Sequence, residues 1–146
     1  RKRVGYPTDK KIVILISITD KPAKNIKLAS EAVRQLHDPG IDFRIVRGVP
    51  NEEIPFFLNA ADEMILSSKW EGSANVIKEA MACNCPVVST DVGDAGWVMK
   101  GVSGCYITSL SAGELSDAVS KALQFSSRTT GRQRIIDLDL GSDVVA

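Results

Sequence analysis

The run Ile12-Val13-Ile14-Leu15-Ile16, opened by Lys11 and closed by Ser17, is apolar at every position. A continuous β-branched run of this kind predicts a strand over Lys11–Ser17 that is buried on both faces. The period then changes. Over Asn25–Leu36, the residues Ile26, Ala29, Val33 and Leu36 recur three and four positions apart, which is one face of a helix. Asp38-Pro39-Gly40 turns the chain out of it. Phe43–Val46 predicts a second strand. Asn51 is placed to cap a helix with Glu52 and Glu53 in its first turn, where Pro55 is early enough to be tolerated. Glu63–Leu66 predicts a third strand, and a polar loop, Ser67–Ser73, leads to a helix over Ala74–Cys83 with Asn84 as a left-handed stop. Pro86–Ser89 predicts a fourth strand, with proline at its first position. A glycine-rich loop through Gly93 and Gly96 leads to a strand at Cys105–Ile107, and Ser111 caps a helix carrying Leu115, Val119, Ala122 and Leu123. Ser126–Asp137 is polar and lacks a dominant period, so no element is predicted there. Ser142, with Asp143 behind it, predicts a helix cut off as it starts.

Strands alternating with helices at this spacing predict right-handed βαβ units, and therefore an α/β fold with a parallel sheet and helices on both faces. Open sheets of this class bind ligands beyond the carboxyl ends of their strands. The loops of interest are therefore Ser17–Lys24, Arg47–Asn51, Ser67–Ser73 and Thr90–Trp97. The 146 residues suffice for one full domain and are short for two. Residues 1–10 read as a polar linker and 11–146 as the domain, with both ends expected to continue in a longer protein. Eighteen basic residues balance eighteen acidic ones, so nothing calls for a nucleic-acid partner. No apolar run approaches a bilayer span, and Arg1-Lys2-Arg3 leads into Gly5 and Pro7 rather than into the core of a signal peptide. Three cysteines suit a reducing compartment better than a disulfide framework, and a cytoplasmic location is expected.

Candidate chemistry concentrates in Glu71-Gly72-Ser73-Ala74-Asn75-Val76-Ile77-Lys78-Glu79. Gly72 and Ser73 are small residues at a strand-to-helix junction. A helix amino terminus opened by small residues is an anion site, through its dipole and its unpaired N–H groups together. Glu71 stands at the mouth of that helix, and Glu79 lies about two turns later, on the helix itself. An ionised carboxylate accepts two hydrogen bonds at once, which suits vicinal hydroxyls. A phosphate held between two polyol-binding acids describes a nucleotide sugar. The bland readings are a solvated Glu79 and a Glu71 that merely favours the helix dipole.

Glu71 and Glu79 with seven residues between, followed by Ala80-Met81-Ala82, Pro86-Val87-Val88 and Thr90-Asp91-Val92-Gly93, resemble the retaining glycosyltransferases of family four. The resemblance runs from the Lys11 strand to the helix after Ser111. It implies the Rossmann-like C-terminal, donor-binding half of a GT-B enzyme, two such domains facing across a cleft. Carried over by position, Glu71 would contact hydroxyls of the donor sugar and Glu79 would hold the ribose. Backbone amides around Gly72, Ser73, Ala74, Asn75 and Val76 would meet the diphosphate and sugar. Lys24 falls where such enzymes place a diphosphate-binding lysine, and Arg47 and Gly48 fall near the base pocket. Glu71 and Lys24 would be the catalytic pair. Relatives often carry an arginine shortly before the lysine, where this chain reads Ile18-Thr19-Asp20, leaving Lys24, helped by Lys21, as the visible cation for the leaving diphosphate. Asn84 replaces a frequent glycine and tolerates the same backbone, and Ala74 replaces a common proline.

The resemblance thus implies transfer of a hexose, with retention, from a nucleotide-sugar donor to a glycan or lipid-linked acceptor held by another domain. The 146-residue chain alone is expected to be inactive in transfer. Preorganised amides and Lys24 would stabilise the leaving diphosphate, so no metal or cofactor is expected. An epimerase of the same architecture and a non-catalytic nucleotide-sugar-binding module stand as alternatives. A dinucleotide-dependent oxidoreductase is disfavoured, because no glycine-rich turn follows the first strand. His37 reads as a helix-end residue, and Cys83 and Cys85 as buried thiols without zinc partners. Trp70 divides evenly between lining the sugar end and packing under its loop, while Trp97 reads as core, with a position facing the interdomain cleft as the alternative. Phe56 and Phe57 read as one core and one partly exposed ring. Arg1-Lys2-Arg3 reads as a solvated linker end, and a basic linker leaves peripheral membrane contact of the full enzyme open.

Overall fold

The computed structural model describes residues 1–17 and 22–141. Five strands, β1 (Lys11–Ile16), β2 (Ile41–Val46), β3 (Glu63–Leu66), β4 (Val87–Thr90) and β5 (Tyr106–Thr108), form one sheet in the order β2-β1-β3-β4-β5. Every neighbouring pair is parallel. The helices are α1 (Ile26–Arg34), α2 (Ile54–Ala60), α3 (Asn75–Ala82), α4 (Ala95–Met99), α5 (Ala112–Phe125) and α6 (Gly131–Asp137).

The alternation of side chains along the strands sorts them into two cores. Ile12, Ile14, Ile16, Met64, Leu66 and Val87 pack with residues of α2, α3, α4 and α6. Val13, Leu15, Ile65 and Val88 point the other way, onto Ala29 and Ala32 of α1 and Leu115, Ala118, Val119 and Ala122 of α5. The unbroken apolar run of β1 is thereby explained: both of its faces are covered, and Ile12 to Leu15 are fully buried.

The strands fall where the hydrophobic pattern predicts them, with β2 starting earlier, at Ile41. Ser111 caps α5 by accepting the Glu114 N–H, and Asn84 has the expected left-handed backbone, with φ of 55°. Asn51, expected as an N-cap, instead lies inside a 3-10 turn, Asn51–Glu53, that runs into α2. Phe57 packs against the core while Phe56 is exposed beneath the Arg3 guanidinium. Trp97, expected in the core, is 52% exposed, because α4 buries Ala95, Val98 and Met99 instead. The helix start expected at Ser142 and the Ile18–Lys21 stretch lie outside the described residues. Arg1, expected in solvent, is docked: its guanidinium donates to the Ala60 carbonyl and pairs with Asp62 at 2.7 Å, while Tyr6 is buried.

The stretch after α5, to which the sequence pattern assigns no element, works as a clamp. Arg128 donates to the carbonyls of Leu58, Ala61 and Cys83, at the ends of α2 and α3. Arg132 donates to Ala82, and Arg134 to Trp97 and Val98 at the end of α4. The last carbonyls of a helix lack intrahelical partners and carry the negative end of its dipole, so arginines satisfy them twice over. Asn84 joins in: its side-chain oxygen accepts the Arg132 N–H in the first turn of α6, a task glycine could not perform. Gly131 lies against α3 so closely that a Cβ there would stand 2.9 Å from the Met81 Cα. We expect Gly131→Ala to push α6 off α3 and destabilise the fold by about 1–3 kcal/mol, measured by urea unfolding.

Glu63 breaks the pattern of its strand. It is fully buried, and neither carboxylate oxygen has a hydrogen-bond partner among the described residues. Burial, and secondarily the neighbouring Asp62, push its carboxyl well above the ordinary 4.5. A folded state that holds this proton more tightly than the unfolded chain is favoured at low pH. That contribution is complete below about 4.5 and is lost as pH rises toward the elevated folded value. Glu63→Gln should remove the dependence: melting temperatures of the variant and the parent chain should diverge progressively as pH rises above about 4.5, in the variant's favour.

Candidate functional site

With β2 on one side of β1 and β3 on the other, the connections leaving these two central strands diverge. The crevice at their carboxyl ends is the topological switch point, where open α/β sheets take ligands. Small buried hydroxyl residues finish the strands: Ser17, Ser67, Ser68, Ser89 and Thr90. Their small side chains let the loops cross close together and hold them. Ser67 donates to the Asn25 carbonyl at 2.8 Å, fixing the segment that carries Lys24. Thr90 donates to the Ser68 carbonyl at 2.7 Å, tying β4 to the loop that carries Glu71.

A cavity of about 150 Å³ opens here, lined by Ile16, Lys24, Glu71, Ser73, Ala74, Asn75, Val76 and Glu79. The structure thus gathers both acids, the lysine and the first turn of α3 around one space. Lys24 Nζ donates to Glu71 Oε1 at 2.6 Å, and Ser68 donates to the same oxygen at 2.9 Å. Both side chains of the ion pair are mostly buried, 21% and 18% exposed. Asn25, with φ of 53°, turns the chain from the short 3-10 helix of Lys24 into α1. Glu79 is half-buried one turn into α3, and burial pushes its carboxyl upward. Gly72, Arg47 and Gly48 do not line the cavity. Arg47 and Gly48 are exposed after β2, with Gly48 at φ of 65°, and Gly72 is exposed beside Ser73. Trp70 is 68% exposed next to Glu71, so it does not pack under its loop.

Two residues absent from the sequence-based candidates stand behind the wall and hold Ser73 and Ala74, which line it. Lys78 Nζ donates to Ser73 Oγ at 2.6 Å and pairs with Asp94 Oδ2 at 2.8 Å. Asp94 Oδ1 accepts the Ala74 N–H at 3.2 Å. Burial works to raise the Asp94 carboxyl, but the Lys78 and Ala74 hydrogen bonds outweigh it and leave it below its ordinary value. Position i+4 after Ala74 was the available signal for Lys78; Asp94 arrives from the β4 loop, which no local pattern connects to α3.

A second cavity, of about 200 Å³, lies at the opposite end of the sheet beside Lys11, Asp62 and Arg128. It is larger, but its chemistry is committed, since Arg128 is spent on three carbonyls and Asp62 on Arg1. The switch-point cavity is the candidate site. Among the described residues, no group of three or more His, Cys, Asp or Glu side chains is placed to hold a metal ion, and no helix is long and apolar enough to cross a membrane.

The family model for "Glycosyl transferases group 1" matches residues 9–124. The chain belongs to that family. A protein named as a teichuronic acid biosynthesis glycosyltransferase, TuaC, from Bacillus subtilis (strain 168) is 32% identical over 137 residues, covering 83% of this chain and 35% of the relative. The Vi polysaccharide biosynthesis protein VipC/TviE of Salmonella typhi is 32% identical over 91 residues, 62% of this chain and 14% of that one. Among solved structures, sucrose-phosphate synthase from Thermosynechococcus elongatus superimposes with a TM-score of 0.84 at 21% identity, over 98% of this chain and 45% of that chain. Anabaena HepE in complex with UDP and glucose gives 0.70 at 19% identity, over 97% and 46%. These likenesses establish the Rossmann-like α/β fold of GT-B glycosyltransferases. The chain spans about a third of the curated relative and just under half of the structural neighbours.

Gly93 shows how tightly this glycosyltransferase domain builds its site. Its φ is +51°, and a Cβ there would stand 2.7 Å from the Gly72 carbonyl oxygen and 3.1 Å from that of Glu71. We expect Gly93→Ala to cost at least the roughly 1–2 kcal/mol of a left-handed alanine and to displace the Glu71 loop. Thermal unfolding reads the first effect, and altered proteolytic cleavage between Ser68 and Ser73 the second.

Proposed function

We propose that this chain is the donor-binding domain of a retaining, family-four hexosyltransferase, and that the switch-point cavity holds the diphosphate and sugar of a nucleotide-sugar donor. The supporting observation is the convergence of Lys24, Glu71, the first turn of α3 and Glu79 on one cavity. In this reading the first turn of α3 and Lys24 receive the diphosphate, as a helix amino terminus and a cation suit an anion. Lys24 must then exchange Glu71 for a phosphate oxygen, which frees the Glu71 carboxylate to accept from sugar hydroxyls. Glu79 accepts from the ribose, and the exposed loop of Arg47 and Gly48 borders the base.

Breaking the anomeric bond builds positive charge on the sugar and negative charge on the diphosphate. Donors already aimed at the departing oxygen stabilise the second charge without reorganising at the moment of reaction. The reading assigns that neutralisation to Lys24 and α3 rather than to a metal. At about 150 Å³ the cavity is smaller than the roughly 300–1,000 Å³ of sites that enclose a ligand. That size fits a half-site, closed in the full enzyme by a second domain that presents a glycan or lipid-linked acceptor. Relatives named for teichuronic acid and Vi polysaccharide biosynthesis, and a neighbour solved with UDP and glucose, are consistent with such a substrate class.

The test is a thermal-shift screen against UDP, GDP, ADP, CDP and their hexose conjugates. A ligand that binds only the native state at a hundredfold excess over its Kd adds about 2.7 kcal/mol of stability. One base should raise the melting temperature, and Glu79→Ala should weaken that nucleotide at least tenfold by calorimetry, leaving inorganic pyrophosphate binding less affected. Failure of every nucleotide to shift the transition would overturn the reading.

A further inference from the structure

Lys78 is a charged side chain behind the wall of the site, in contact with Ser73, that the proposed donor contacts do not use. It is only 7% exposed, and taking an ammonium out of water is costly unless it is well paired. Its pairing is specific. One contact goes to Asp94 Oδ2 at 2.8 Å, and another to Ser73 Oγ at 2.6 Å. Asp94 in turn accepts the Ala74 N–H, so the network bridges the β4 loop and the start of α3.

The direction of these hydrogen bonds carries the argument. An ammonium has three donors and no acceptor, so Ser73 Oγ accepts from Lys78 and keeps its own proton to donate. The protein offers that proton little. Asn75 Oδ1 stands at 3.5 Å and Asp94 Oδ2 at 3.4 Å, against about 2.7–2.8 Å for an ordinary O–H···O bond. A hydroxyl that accepts from a cation is also polarised toward donation. Ser73 itself lines the cavity. Its surroundings select an anion as the acceptor: the positive end of the α3 dipole lies beside it, and Lys24 lines the same space. Lys78 and Asp94 together are neutral, so Asp94 adds no net repulsion against such an anion.

We propose that the Ser73 hydroxyl donates to a phosphate oxygen of the bound nucleoside diphosphate, and that Lys78 and Asp94 are positioning residues that hold it ready to do so. This rests on the donor-site reading above and adds a side-chain contact to the backbone amides of that turn.

Calorimetric titration of the full chain with UDP, GDP, ADP and CDP tests it. With the nucleotide that the parent chain binds, Ser73→Ala should weaken affinity about tenfold, the loss of one hydrogen bond to a charged group. Ser73→Thr, which keeps the hydroxyl, should restore affinity to within about threefold of the parent. Lys78→Met should weaken binding at least as much as Ser73→Ala, since it also leaves the Asp94 charge uncompensated, and the double variant should be no weaker than Lys78→Met alone, because Lys78 acts on the ligand through Ser73. Affinity unchanged in Ser73→Ala, losses that multiply in the double variant, or no rescue by threonine would each overturn the proposal while leaving the donor site intact. Should Lys78→Met fail to fold, the comparison of Ser73→Ala with Ser73→Thr decides alone. A parent chain that binds none of the four nucleotides overturns the donor-site reading and this proposal with it.

Discussion

The parallel ladder between β1 and β3 is the constraint on which the site depends. Val13 pairs with Glu63 and Ile14 with Met64, and because β2 lies on the far side of β1, the chain leaves these two strands in opposite directions. The space left at their ends is where Lys24 and Glu71 meet. A slip of one residue would exchange the two cores, moving Ile12, Ile14 and Ile16 onto the face of α1 and α5. Burial on both faces therefore fixes the position of the loops as firmly as it fixes the strands.

Charge in the site is arranged in pairs that cross between elements. Lys24, before α1, meets Glu71, after β3; Lys78, within α3, meets Asp94, after β4. Each pair is mostly shielded from water, so removing one member would strand its partner in a poorly hydrated place. The pairs act as struts between the loops that carry the site. Gly93 adds a steric strut, its bare Cα resting on the carbonyls of Glu71 and Gly72. In the proposed function, the first pair opens to admit the diphosphate and the second stays closed to shape the wall.

Away from the site, the carboxyl-terminal segment holds the helices of one face together through their carbonyl ends. Arg128, Arg132 and Arg134 are polar in sequence and structural in place, satisfying groups that the ends of α2, α3 and α4 leave unpaired. Glu63 is the exception to this satisfaction of polar groups. It is a buried acid without a partner among the described residues, held in a strand whose other three positions are apolar.

The sequence alone determined the order of strands and of the long helices, because an apolar run such as Ile12–Ile16 and a face such as Ile26, Ala29 and Val33 are local signals of period. It also marked Lys24, Glu71, Ser73–Val76 and Glu79, since acids and small residues around a helix start carry their chemistry in their spacing. Only the tertiary structure decided which of these share a cavity, and it left Gly72, Arg47 and Gly48 off the wall. It alone supplied α4, α6, the arginine clamp and the Lys78–Asp94 pair. Five- and seven-residue helices are too short for periodicity to declare them, and they stand here because neighbours bury Val98 and Ile135. A lysine and an aspartate sixteen positions apart become partners only when the sheet sets the β4 loop against the first turn of α3.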